Sequence, residues 1–183
     1  MKKIIAIIFF ALCSLMSFAQ DYSNAVKVNP LSLLGGVDLL SYERAFSEHS
    51  TGIIGAGVGG FNFDDIKYSS VGGTLQYRYY FREAVESWYV GGGVQYRNGS
   101  VEIEAGAELE TGTLIESENI DFGAFGVGLK GGHQWAWNSG FILDLNIGFN
   151  YASFSYDEIP QSAIELRDSG IVPAFGLALG YAW

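Results

Sequence analysis

Apolar and polar positions alternate with a period of two along much of this chain, which is the pattern of β-strands with one greasy face and one polar or small face. Over residues 75–81, Leu75, Tyr77, Tyr79 and Phe81 share one face, while Thr74, Gln76, Arg78 and Tyr80 take the other. Over residues 141–151 the apolar set is Phe141, Leu143, Leu145, Ile147, Phe149 and Tyr151, against Ile142, Asp144, Asn146, Gly148 and Asn150. Trp88, Val90, Val94 and Tyr96 repeat the pattern against Tyr89, Gly91, Gly93, Gln95 and Arg97. Residues 175–183 set Phe175, Leu177, Leu179, Tyr181 and Trp183 against Gly176, Ala178, Gly180 and Ala182. Weaker strands are expected at residues 25–34, 39–46, 52–63 and 122–135, which makes eight. In the third strand Ile54 and Val58 lie on one parity and Phe61 and Phe63 on the other, which predicts a bulge or register change among its glycines. Pro30 breaks the pattern of the first strand.

The connections after strands two, four and six are short. Those after three, five and seven are long, and only the first outer connection, residues 35–38, is expected to be tight. Short turns at one end and long loops at the other form the layout of a membrane barrel. A soluble barrel would turn its apolar face inward around a ligand, whereas a membrane barrel turns it to lipid and fills a narrow interior with polar side chains. Lys27, Asn29, Glu43, Gln76, Arg78, Gln95, Arg97, Lys130, Asp144, Asn146 and Asn150 all fall on the polar or small face, and burying so many such groups in a ligand cavity is costly unless they pair. Trp88, Tyr96, Tyr151, Tyr181 and Trp183 sit near the ends of the apolar face, where rings meet a membrane boundary. The fold class is therefore all-β, an eight-stranded antiparallel up-and-down transmembrane β-barrel.

Composition sharpens this reading. Among 183 residues there are 25 Gly, 13 Phe, 11 Tyr and 4 Trp, but only 3 Pro, a mixture suited to many strands and aromatic girdles. Residues 1–19 carry Lys2 and Lys3, an apolar run and Ser17-Phe18-Ala19, as in a cleavable secretory signal too short to span a membrane. A lipoprotein signal ending at Cys13 competes, but Leu12 is bulky for the position before a modified cysteine. The mature domain would then be residues 20–183, without cysteine and so without disulfides. Loss of Lys2 and Lys3 takes the net charge from −10 to −12, which disfavours nucleic acid as a partner. Beyond residue 19 no apolar run reaches the ~20 residues of a spanning helix. The outer loops at 62–70, 98–120 and 152–169 carry −1, −6 and −3.

With its signal, alternating strands and closing residues 175–183, the chain resembles the small eight-stranded outer-membrane β-barrel proteins of Gram-negative bacteria. Within that group, VKVNPL (residues 26–31) and SYERAF (residues 41–46) are similar to the opening hairpin of barrels carried as domains of unknown function. The resemblance implies residence in the outer membrane, and it implies that Phe175, Leu177, Leu179, Tyr181 and Trp183 form an assembly signal read by the barrel-assembly machinery. It brings no activity with it.

Candidate chemistry is sparse. Nucleophilic catalysis needs a base beside a hydroxyl, yet His49 and His133 both map to the short-turn end, away from the long loops; the chain is read as non-enzymatic. Asp64-Asp65 and Asp157-Glu158 offer oxygen ligands of the kind calcium favours, with a solvated loop as the plainer reading, and no cofactor or metal is assigned. Lys27, Glu43, Arg78, Arg97, Lys130 and Asp144 share the lumen, and eight strands leave room only for side chains, so they are expected to form a plug in which Glu43 and Asp144 face four cations. In the longest loop Glu102, Glu104, Glu108 and Glu110 alternate with Val101, Ile103, Ala105, Ala107 and Leu109. A hairpin continuing above the membrane, with an edge open to a partner strand, would show this pattern; so would an acidic solvated loop. The function expected is a monomeric barrel with a structural or surface-interaction role through acidic outer loops. A narrow passive channel and a periplasmic lipocalin-like binder are the alternatives.

Overall fold

Eight antiparallel strands close on themselves in chain order: β1 (Asn24–Val28), β2 (Leu40–Ser47), β3 (Ser50–Phe63), β4 (Ile66–Tyr80), β5 (Ser87–Ile103), β6 (Glu118–Ala136), β7 (Phe141–Tyr156) and β8 (Ser169–Ala182), with β1 paired to β8. The computed structural model describes residues 22–63, 66–103, 118–156 and 168–183. Residues 1–19, the acidic pairs Asp64-Asp65 and Asp157-Glu158, and Glu104, Glu108 and Glu110 lie outside the described residues.

The faces follow from the pleat, because successive side chains point to opposite sides of a strand. Leu129, Ile147 and Phe175 are each about three-fifths exposed on the outer wall, whereas Glu43 and Asp144 on the opposite parity are almost completely buried. A continuous outer wall of Leu, Ile, Val and aromatic residues is far larger than the apolar patches that soluble monomers expose. It is the surface a transmembrane barrel presents to lipid. Small inward residues make room for long polar ones. A Cβ on Gly180 would stand 2.7 Å from Cγ of Lys27.

Three features depart from the sequence expectation. First, β1 ends at Val28, not at residue 34. Pro30 opens a 3-10 turn, Pro30–Leu33, so the first outer connection spans residues 29–39 and is not a tight turn. Second, β3 has no bulge among its glycines. It pairs with β4 in unbroken register from Ser50↔Tyr79 to Phe63↔Ile66, and the irregularity lies instead in the β2–β3 pairing, between Ala45 and Ser47.

The apparent parity switch in β3 is a change of environment. Strands β3 to β7 continue past the apolar wall, and there the inner face becomes aromatic. Phe61, Tyr68, Phe122, Phe154 and Tyr156 form a ladder with successive ring centroids 5.2, 6.1, 6.3 and 6.4 Å apart. The outer face there carries the Lys67–Glu102 ion pair and the Ser69–Ser100 hydrogen bond. Once the outer face meets water, the apolar residues move to the shielded side. Third, β5 continues to Ile103, flanked by β4 on one side and β6 on the other, so residues 98–103 do not offer the open edge expected of the longest loop.

Candidate functional site: the barrel interior

The interior is filled in layers. At the short-turn end, Val85 of the β4–β5 turn packs with Ala25, Ile142 and Ala182 in a fully buried apolar cluster. Val85 takes a left-handed backbone conformation (φ 68°), which is costly for a β-branched residue and persists only where surrounding contacts enforce it. Those contacts are its burial and the 2.7 Å hydrogen bond that its carbonyl accepts from Nε2 of Gln134. The neighbouring Ala84 amide donates to the Glu48 carbonyl at 2.8 Å, which ties this turn to the one between β2 and β3.

Above the cluster lies the charged layer. Lys27 Nζ donates to Glu43 Oε2 at 2.6 Å and to Asp144 Oδ2 at 3.0 Å, and Arg78 Nη1 donates to Asp144 Oδ2 at 2.6 Å. Glu43 Oε1 accepts from Thr51 Oγ1 at 2.6 Å and from the Tyr80 hydroxyl at 2.7 Å, while Asp144 Oδ1 accepts from the Tyr89 hydroxyl at 2.7 Å. Oε1 of Gln134 accepts from both cations, at 2.9 Å from Lys27 and 3.2 Å from Arg78. The Arg78 guanidinium also lies 4.0 Å from the centre of the Tyr89 ring, a cation–π contact. Two cations face two carboxylates whose four oxygens all have partners, which is the condition under which buried charge is tolerated.

Lys27, Glu43, Arg78 and Asp144 thus meet, but Arg97 and Lys130 do not join them. Arg97 Nη1 donates to the Gly35 carbonyl of the first outer connection at 3.3 Å. Lys130 makes no ion pair or hydrogen bond among the described residues. The two carboxylates therefore serve two cations rather than four, because Arg97 and Lys130 sit nearer the outer end. Thr51 and Gln134 complete the layer unforeseen. They share the inward parity with Glu43 and Asp144, but Thr51 is obscured by the glycines that follow it.

Between the charged layer and the first outer connection is a cavity of about 500 Å³ lined by Gln76, Arg97, Lys130, Asn146 and Asn150, among others. The connection covers it, with Ser32 and Val37 buried and Ser32 Oγ accepting from the Asp38 amide at 2.9 Å. Close approach to β3 is possible because Gly59 has no side chain; a Cβ there would lie 2.7 Å from the Leu33 carbonyl oxygen.

Neither histidine is near this interior chemistry. The His133 ring stands on the outer wall between Trp88 and Trp135, with centroids at 4.9 and 4.3 Å, and His49 packs against Tyr79 in the β2–β3 turn at 5.8 Å. Of the closing row, Phe175, Leu177, Leu179 and Tyr181 lie on the outer parity of β8. Trp183 extends the row, stacked on Tyr181 at 6.3 Å. The Trp183 carbonyl accepts from the Ser23 and Asn24 amides, and its own amide donates to the Asn24 carbonyl at 2.9 Å.

An apolar outer wall around a polar interior that holds a charge-paired, hydrogen-bonded layer defines an integral membrane β-barrel of the outer-membrane type. The chain belongs to the DUF3575 family, described as proteins of unknown function, whose model matches residues 4–170. No curated protein matches it in sequence. Among solved structures it is similar to CarO2 of Acinetobacter baumannii, with a TM-score of 0.44 and 9% identity over 88% of this chain and 98% of that one. It is also similar to Ail, the attachment invasion locus protein of Yersinia pestis in complex with the heparin analogue sucrose octasulfate, with a TM-score of 0.38 and 17% identity over 88% of this chain and 94% of that one.

Proposed function

We propose that the protein is a closed, non-enzymatic barrel of the outer membrane whose role is structural and surface-interacting, with no through-channel. Residues 1–19 would act as its export signal and residues 20–183 as the barrel, a monomer held by membrane lipid. The observation that carries the reading is the charged layer. Lys27, Glu43, Arg78 and Asp144 bond directly across the lumen, above the apolar cluster around Val85. An ion crossing the barrel would have to break these contacts and replace them. In planar bilayers the purified barrel should give no steady single-channel steps at ordinary salt; reproducible steps of fixed size would overturn the proposal and favour the narrow-channel reading.

The surface role rests on charge. The outer loops carry nearly all of the chain's net negative charge, and Glu102 already engages Lys67 at 2.7 Å on the exposed face. The partner chemistry that fits is a basic surface, attracted over a Debye length of about 8–10 Å and weakened by salt. A barrel with Glu102, Glu104, Glu108 and Glu110 all changed to Gln should lose salt-sensitive binding of a basic probe protein such as lysozyme to proteoliposomes, while heat-modifiable gel migration stays normal.

A further inference from the structure

The barrel wall is incomplete in its outer half. β1 contacts β8 only from Ala25↔Ala182 to Val28↔Leu179, and β2 contacts β3 only as far as Leu40↔Ala56. Among the described residues, 169–178 of β8 and 57–63 of β3 therefore have a strand neighbour on one side only. The unpaired stretch of β8 still presents Ile171, Phe175 and Leu177 on its outer parity, so the free edge lies at the depth of the apolar wall. Between the two edges the described residues place no strand but the 3-10 turn Pro30–Leu33, with Leu31, Leu33 and Leu34 exposed on or beside it. Pro173 fits this place, since a residue without an amide is accepted where a strand lacks a second neighbour.

An open edge is tolerated at membrane depth only where it lines a protein or water-filled cavity, and this one does. The 500 Å³ cavity is bounded by Val172, Pro173 and Phe175 of the free edge and by Leu31 and Leu34 of the turn, as well as by Arg97 and Lys130 inside. It thus runs from the polar lumen to the seam in the apolar wall. Its volume lies within the roughly 300–1,000 Å³ range of small-molecule sites. Its polar end is under-satisfied. Arg97 Nε, Gln76 Oε1 and Asn29 Oδ1 are buried without a hydrogen-bond partner among the described residues, and Asn29 is itself more than nine-tenths buried. Lys130 has no ion pair among the described residues. Asp38, held by Asn29 Nδ2 at 3.2 Å, is the single carboxylate lining the same cavity among the described residues, so among these residues two cations face one anion.

We propose that this cavity binds a single-chain anionic amphiphile, a long-chain fatty acid. Its carboxylate is held by Arg97 and Lys130, and its alkyl chain leaves the barrel through the seam between the 3-10 turn and the free edge of β8. One cation of excess matches one carboxylate, and an exit lined by Leu, Val and Phe matches an alkyl chain that is already soluble in the bilayer. Gln76 and Asn29 would order the water around the head group. The proposal does not depend on the closed lumen, because the charged layer lies beneath the cavity.

The test uses the full barrel in a neutral maltoside detergent, titrated calorimetrically with palmitate and followed by the carbonyl resonance of carboxyl-13C palmitate. The expected result is saturable binding at one palmitate per barrel, at least tenfold weaker in Arg97→Gln/Lys130→Gln, with no saturable binding of acetate at the same concentrations. Lys130→Gln alone is the second variant, because Lys130 holds no hydrogen bond among the described residues whose loss would unfold the protein, and it should weaken binding at least threefold with an unchanged urea midpoint. The proposal is overturned by absence of saturable palmitate binding, by equal binding of acetate, which would make the cavity a plain anion site, or by affinity indifferent to Lys130→Gln.

Discussion

Replacing Asp144 with Asn removes the carboxylate that bridges both lumenal cations, and the geometry sets the size of the effect. Asp144 accepts from Arg78 at 2.6 Å, from Lys27 at 3.0 Å and from Tyr89 at 2.7 Å, with about 1% of its surface exposed. After the change, Lys27 and Arg78 face Glu43 alone, which leaves one buried charge uncompensated. Breaking a buried pair in this way typically costs about 3–5 kcal/mol, well above the ~0.5 kcal/mol expected of a surface change. With a urea dependence of ~2 kcal/mol per molar, the unfolding midpoint in lipid vesicles, read from tryptophan fluorescence, should fall by about 2 M. Removing the excess cation in Asp144→Asn/Arg78→Gln should restore part of the loss, with a coupling energy of ~0.5–3 kcal/mol as expected of directly bonded residues. The electrostatic account fails if Asp144→Asn shifts the midpoint no more than a surface substitution does, or if the two changes simply add.

Two further outcomes follow from the same interior and from β8. Glu43→Ala strands the Thr51 and Tyr80 hydroxyls and one lumenal cation, so the folded band on a heat-modifiable gel should disappear at a lower temperature than for the parent; an unchanged transition would show that the layer contributes nothing to stability. Trp183→Ser removes the ring stacked on Tyr181 while the backbone bonds to Asn24 can persist, so purified protein should refold in vesicles with a near-normal midpoint, whereas the amount assembled in cells should fall. Equal losses in both assays would assign Trp183 to stability rather than to assembly.

Much of the fold was legible because a period-2 pattern is local. Within the apolar wall each residue of β4 or β7 meets either lipid or lumen, and the alternation of Leu75, Tyr77 and Tyr79 against Gln76 and Arg78 records that choice at every step. The same parity put Lys27, Glu43, Arg78 and Asp144 in the interior, where the structure joins them. It also grouped Arg97 and Lys130 with them, since parity reports which face a side chain takes and carries no information on depth along the barrel axis. Depth is set by register, and register is non-local: it places Arg78 beside Asp144, 66 residues away, and sends Arg97 to the Gly35 carbonyl, 62 residues away.

The polarity inversion in β3 shows the limit of the pattern most clearly. Phe61 and Phe63 break the alternation as a bulge would, yet the register is continuous and what changes is the medium outside the wall. A rule that equates apolar with outward holds only within the hydrocarbon layer and reverses in water. Pro30 marks a break in the first strand, which was nonetheless expected to reach residue 34 and ends at Val28, and the consequence, an outer wall left open between β3 and β8, depends on how far the neighbouring strands extend. Local alternation is therefore enough to specify eight strands around a polar interior, because burial of each residue against lipid or lumen is a one-residue choice. Which interior charges meet, where the wall stops and what the cavity touches are settled by strand pairing, because those depend on contacts across the barrel that no local pattern encodes.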